Sequence, residues 1–120
     1  MFNDIIVRHF SNPTHTGELP DASRTLELGN PVCGDRLRVD LRIEGDRIAE
    51  ARYQAWGCAT SLATGNAFCE HVENKSLRDA ATTAPEAIEA LLGELEPSQM
   101  HCLEMLRSLF AQLNASPDDR

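Results

Sequence analysis

The sequence predicts an α+β domain in which a small antiparallel sheet comes first and helices then cover one of its faces. Two observations carry this. Between Leu37 and Trp56 apolar and polar residues alternate on both sides of Gly45-Asp46, the pattern of two strands joined by a hairpin turn. After Cys58 the apolar period changes from two to three and four residues, so the rest of the chain reads as helices. At 120 residues the chain fits a single domain, 1–120.

From the start, "FNDIIVRHF" puts Phe2, Ile5, Ile6 and His9 or Phe10 on one side of a helix that Asn12-Pro13 ends. "THTGELPDAS", residues 14–23, is rich in turn formers and has no period, so it reads as a loop. A brief strand follows at Thr25 to Leu28. In the next strand Leu37, Val39, Leu41 and Ile43 face the core, and Arg36, Arg38, Asp40, Arg42 and Glu44 face solvent. Its hairpin partner, Arg47 to Trp56, opposes Ala49, Ala51, Tyr53 and Ala55 to Glu50, Arg52 and Gln54.

Ala59, Leu62, Ala63, Ala67, Phe68 and Val72 then form the apolar stripe of a helix from about Thr60 to Val72. Ser76 with Asp79 and Thr83 with Glu86 are candidate N-caps of two short helices, and Gly93 is a natural helix stop. Pro97 and Ser98 open the last helix, with Ser98 as N-cap and Leu103, Leu106, Phe110 and Leu113 as its stripe. The tail "ASPDDR" is polar, and residues 115–120 read as frayed.

A formal charge of −8 argues against a nucleic-acid partner, because phosphate binding rests on clustered Lys and Arg. No apolar run reaches the roughly 20 residues of a membrane span, and the first residues lack the features of a signal peptide. The expectation is a cytoplasmic protein whose four cysteines are metal ligands, reactive thiols or buried small residues rather than disulfide partners.

Three of these cysteines hold one kind of position: Cys33 in the loop before a strand, Cys58 where a strand becomes a helix, and Cys102 in a helix's first turn. Such positions gather at one end of an α+β domain, and a helix start favours the thiolate that metals and sulfur donors need. Cys69 lies eleven residues beyond Cys58 on the same helix, about 16 Å along it at 1.5 Å per residue, and reads as a buried core residue. Asp35 stands two residues from Cys33 across Gly34, so that both side chains can face one point. Three thiolates with a carboxylate or an imidazole suit a tetrahedral metal or the edge of an iron-sulfur cluster. The carboxylate is the harder ligand and holds a thiophilic centre less firmly.

Blander readings stay open beside these. Asp35 also fits a turn residue bonded to its own backbone, and His101 a half-exposed first-turn histidine. Adjacent on a helix, His101 and Cys102 point about 100° apart, so no nucleophile-base dyad is expected of them. His9, His15 and His71 read as surface or packing residues.

In order along the chain, "VRHFSNPTHTGEL", "NPVCGD", "ARYQAWGCATSLATGNA", "NKSL" and "HC" resemble the U-type iron-sulfur cluster assembly scaffolds, whose members include IscU, the N-terminal domain of NifU, and SufU. The resemblance covers nearly the whole chain. It implies a three-stranded antiparallel sheet with helices packed on it and a metal site at one end, formed by Cys33, Asp35, Cys58, His101 and Cys102. It also implies a non-enzymatic role. A cysteine desulfurase passes sulfur to a scaffold thiol, here Cys102, iron joins it, and a transient [2Fe-2S] cluster moves to an apo acceptor or carrier protein.

Two departures bear on partners. The family's Arg-Asn after Asn-Pro is Thr14-His15, and its Leu-Pro-Pro-Val-Lys stretch, read by an Hsp70-type chaperone, is "LEPSQM", so release driven by that chaperone is not expected. The subtype is mixed. "NPVCGD" looks like SufU, a zinc-dependent sulfurtransferase, whereas His101 before the last cysteine looks like IscU or NifU. Zinc in the resting protein, bound for sulfur transfer or only for structure, is the alternative to a cluster.

Overall fold

The protein is described by a computed structural model over residues 2–30, 35–57 and 59–114, with the backbone alone at Asn30 and Asp35. The element order is α1 (Asp4–Ser11), β1 (Arg24–Asn30), β2 (Asp35–Glu44), β3 (Arg47–Trp56), α2 (Ala59–Val72), α3 (Leu77–Ala81), α4 (Pro85–Ala90), a 3-10 turn (Pro97–Gln99) and α5 (Met100–Asn114). The strands form one antiparallel sheet in the order β1-β2-β3. The α+β class and the three-stranded sheet are those the sequence predicts. The expected tail at 115–120 lies outside the described residues.

The β2–β3 hairpin turns at Gly45, where φ is +63°. Its register contains one irregularity: Arg42 pairs with Glu50 but Ile43 pairs with Ile48, which leaves Ala49 as the extra residue of a bulge. The bulge resets the alternation. Ile48, rather than Ala49, is therefore fully buried, followed by Ala51 and Tyr53.

Helix α2 departs most from its expected form. Instead of one apolar stripe it is buried nearly all round, including Thr60, Ser61, Thr64 and Asn66, because the sheet packs on one side of it and α1 and α5 on others. Leu62, expected in the stripe, is half-exposed. Gly65 permits the close approach to the sheet, since a Cβ there would stand 2.5 Å from Tyr53 Cδ2 and 2.9 Å from Leu37 Cδ1. The core joins Leu26, Leu37, Val39, Leu41, Tyr53, Phe68 and Val72 with Leu106, Leu109 and Phe110 of α5. Cys69 belongs to it, fully buried as expected, and burial pushes its thiol well up.

Loop 12–23 is more ordered than its composition suggests. His15 accepts from Tyr53 N and Gly17 donates to Tyr53 O, both at 2.9 Å, so a short segment pairs with the edge of β3. Farther on, Leu19 N donates to Asp40 Oδ2 at 3.0 Å. Asp40, expected on the solvated face, is 2% exposed, and Thr25 Oγ1 at 2.9 Å and Arg38 Nε at 3.2 Å also donate to it.

The helix starts follow side-chain oxygens where these are present. Asn3 accepts from Ile6 N at 2.9 Å, so α1 begins at Asp4 rather than Phe2. Ser76 caps α3 as expected, accepting from Asp79 N at 3.0 Å. Thr83 does not cap α4: its hydroxyl donates back to Ala80 O at 2.7 Å, and Pro85 opens the helix after Ala84. Nor does Ser98 cap the last helix. Glu96 N donates to Gln99 Oε1 at 3.1 Å in a capping box around the 3-10 turn, from which α5 continues at Met100.

Candidate metal centre

The sheet register gathers three chain ends on one side of the molecule. Asn30, the last residue of β1, pairs with Asp35, the first of β2, and Arg36 pairs with Trp56, the last of β3. Cys33 and Cys58, together with Gly34, lie outside the described residues, and of Asp35 only the backbone is described. Gly57, with φ at +131°, turns the chain out of β3 toward α2.

Helix α5 packs beside β1. Arg24, at the start of the strand, donates to the carbonyls of Gln112 and Leu113, and Gln112 pairs with the Glu27 backbone at 3.3 and 2.9 Å. The C-terminal part of α5 therefore lies beside the beginning of β1. Ten residues from Gln112 back to Cys102 amount to about 15 Å of helix.

Within the first turn of α5 Cys102 is fully buried and His101 is exposed. Cys102 Sγ and His101 Nε2 are 3.6 Å apart, within hydrogen-bonding reach of sulfur. This corrects the expectation that neighbours on a helix cannot meet. The 100° rotation separates the two Cβ atoms, but the imidazole carries Nε2 far enough from its Cβ to swing across to the thiol. A thiol beside an imidazole is a donor pair suited to zinc or to iron bound through sulfur. Among the described residues no three of His, Cys, Asp and Glu are placed to hold a metal ion, and His101 and Cys102 are the members of the expected ligand set that meet there.

The other histidines stand apart from this end. His9 is 3% exposed. Asn66 Oδ1 accepts the backbone N–H groups of Thr14 and His15 at 3.0 and 3.1 Å, which fixes its amide and leaves Nδ2 to donate to His9 Nδ1 at 2.8 Å. Burial foremost, then the charge of Arg8, lower the pKa of His9 against the opposing pull of Glu70. His15 Nε2 meets Glu73 Oε1 at 2.9 Å, and His71 Nε2 meets Thr83 Oγ1 at 3.1 Å.

Glu73 ties three elements together, accepting also from Ala51 N at 3.0 Å and Arg52 at 2.8 Å. Burial alone would raise its pKa, yet these partners hold it below the ordinary carboxylate value. The substituted pair Thr14-His15 is thus built into the anchoring of the loop: Thr14 Oγ1 donates to Glu70 at 2.9 Å and His15 meets Glu73. The sequence signal for this anchor was a row of polar residues, Asn66 and Glu70 on the helix that also carries the core residues and Glu73 just past its end.

Relatives agree with this architecture. An iron-sulfur cluster assembly scaffold protein IscU of Archaeoglobus fulgidus is 33% identical over 102 residues, which cover 85% of this chain and 67% of the relative. A zinc-dependent sulfurtransferase SufU of Bacillus subtilis is 30% identical over 80 residues, which cover 67% of this chain and 54% of the relative. In fold, the chain resembles the crystal structure of an iron-sulfur cluster assembly scaffold protein for the SUF system from Fervidobacterium islandicum. There the TM-score is 0.63 at 20% identity, over 92% of this chain and 82% of that one. The family described as NifU-like N terminal domain matches residues 1–113, and the chain belongs to it.

Proposed function

We propose that this protein is a scaffold on which an iron-sulfur cluster is assembled and then handed on, acting as a single cytoplasmic domain over residues 1–120. The observation that carries the reading is the buried Cys102 thiol with His101 Nε2 at 3.6 Å, at the start of α5 in a chain of this family. Cys33, Asp35 and Cys58 complete the proposed ligand set around iron, with zinc as the occupant of the resting site. The relatives named as IscU scaffolds support the reading.

In this reading a cysteine desulfurase presents a persulfide. The Cys102 thiolate attacks its outer sulfur, the donor's S–S bond breaks, and the donor cysteine leaves as a thiolate while Cys102 becomes the persulfide. Incorporation as sulfide needs two electrons per sulfur from an external reductant. The resulting [2Fe-2S] cluster is cargo, passed to an apo acceptor protein.

A second reading rests on the Bacillus subtilis relative named as a zinc-dependent sulfurtransferase. Here zinc positions the thiol and sulfur passes through without a cluster. One experiment separates the two: anaerobic incubation of the zinc-free protein with iron, cysteine, reductant and catalytic desulfurase, followed by visible absorption and addition of apo-ferredoxin. A scaffold gives absorption that builds on this protein and moves to the ferredoxin, and Cys102→Ser abolishes its build-up. Faster desulfurase turnover with zinc bound, and no absorption on this protein, would establish the sulfurtransferase instead.

A further inference from the structure

The outer edge of β3 is covered in steps. At Ile48 the turn after α2 closes it, with Asn74 N donating to Ile48 O at 2.7 Å and Ile48 N donating to Lys75 O at 2.9 Å. At Ala51 the backbone N–H goes to Glu73 and the carbonyl to Arg52. At Tyr53 the loop supplies His15 O and Gly17 N. Beyond the bulge the register with β2 is regular, so the N–H and C=O of alternate residues point away from the sheet, and the next such residue is Ala55.

No described residue meets Ala55 on that side. The pairing loop turns off the edge at Gly17, where φ is +133°. What lies there is an open groove of about 410 Å³ lined by Thr16, Gly17, Tyr53, Ala55, Trp56 and Leu62. Trp56 is 44% exposed, and the Arg36 guanidinium sits 5.0 Å from the centre of its ring. Arg36 is itself 59% exposed, and its carboxylate partner, Glu27, is 3.9 Å away. In a chain of net charge −8, this places an exposed cation and an exposed aromatic ring beside a main-chain donor and acceptor that no described residue pairs with.

We propose that the edge of β3 at Ala55 is a docking site for an extended, acidic segment of a partner protein. Its main chain pairs with the Ala55 N–H and C=O, continuing the line that residues 15–17 begin, and a carboxylate side chain meets Arg36 beside Trp56. An apolar side chain of the segment fills the groove against Leu62. The strand runs on to Gly57 and then Cys58, so a segment held here is directed along the chain toward a candidate site residue. The proposal stands apart from the cluster reading, because recognition uses neither sulfur nor metal.

The test is a titration of the full chain, followed by its amide NMR spectrum, with the blocked peptide acetyl-Val-Asp-Val-Asp-Val-amide. Saturable shifts centred on Ala55 and Gly57 are expected. Replacing Asp by Lys in the peptide should weaken binding about fivefold, as for an exposed ion pair, and Arg36→Glu should reverse that preference. Ala55→Pro removes only an outward N–H and should weaken binding about tenfold while leaving the core amides in place. The proposal is overturned if Ala55 shows no saturable shift, or if both peptides bind alike to both charge forms. Shifts at Ala55 that depend on protein concentration without peptide would assign the edge to a second copy and overturn it as well.

Discussion

Gly65 of α2 lies so close to Tyr53 of β3 that a Cβ on it would stand 2.5 Å from the ring's Cδ2 and 2.8 Å from its Cγ. Cγ is the root of the ring and moves only with the strand or with a χ1 rotation of a fully packed side chain. Gly65→Ala would gain about 1 kcal/mol of helix propensity, yet overpacking typically costs ~1–3 kcal/mol, so the balance is a loss of stability. Urea unfolding should give a lower midpoint with an unchanged slope. A raised midpoint would mean that α2 can move off the sheet without penalty.

The same tyrosine carries a second signature. Its hydroxyl is buried with no hydrogen-bond partner among the described residues. Burial first, then the Cys69 and Glu70 charges, push its pKa up to about 12. Removing an unpaired buried hydroxyl while keeping the ring relieves a desolvation penalty, so Tyr53→Phe should raise stability by about 1 kcal/mol. A clear loss in the same urea assay would show that the hydroxyl is bonded in solution.

Acid should loosen the contact between α1 and α2. His9 has its pKa lowered, chiefly by burial, so the unfolded chain binds a proton at a higher pH than the folded one. Stability is therefore full above about pH 6.5 and falls as pH drops below that value toward the folded pKa. His71 is lowered too, by burial and then by Lys75, so it adds a loss of the same sign. Glu70 and Glu73 have lowered values despite burial and lose their contribution only below about pH 4.5. Between pH 7.5 and 5.5, His9→Gln, which keeps an acceptor for Asn66, should show a shallower decline than the wild type. An identical slope would exclude His9 as a source of the decline.

How far this structure could be read from its sequence depended on whether a pattern was local. The β2–β3 hairpin was plain because alternation and a Gly-Asp turn act over a few residues, whereas the bulge at Ala49 was not, since skipping one residue leaves no mark in the composition. The one-sided stripe of α2 gave way because a central helix is buried on several faces, and Thr64 and Asn66 are accommodated there by hydrogen bonds. At the site, "HC" located the thiol and its imidazole, but their contact depends on a ring rotamer, which residue spacing does not report. The open edge at Ala55 was invisible in the sequence, because it is defined by where two distant segments, residues 15–17 and 73–75, stop covering β3.

Metal removal distinguishes a scaffold from a structural zinc protein. The core from Leu26 to Leu113 is a continuous apolar cluster joining sheet and helices, with Cys102 as its member at the candidate site. The fold should therefore survive chelation with a lower Tm, keeping its far-UV circular dichroism, and should regain its Tm on adding zinc. Complete unfolding of the metal-free chain would instead make the metal a structural element.

Asp35 opens β2 opposite Asn30, two residues after Cys33, and is the one carboxylate in the proposed ligand set. Oxygen is a harder donor than thiolate and holds a thiophilic iron centre less firmly, so a scaffold that must release its cargo gains lability from it. Asp35→Ala should lengthen the lifetime of an assembled cluster several-fold under anaerobic conditions and slow its passage to apo-ferredoxin in proportion. The decay of visible absorption measures the first effect and the rise of ferredoxin the second. Equal decay in both proteins would remove lability as the role of Asp35, while the assembly reading would still be decided by the build-up of absorption itself.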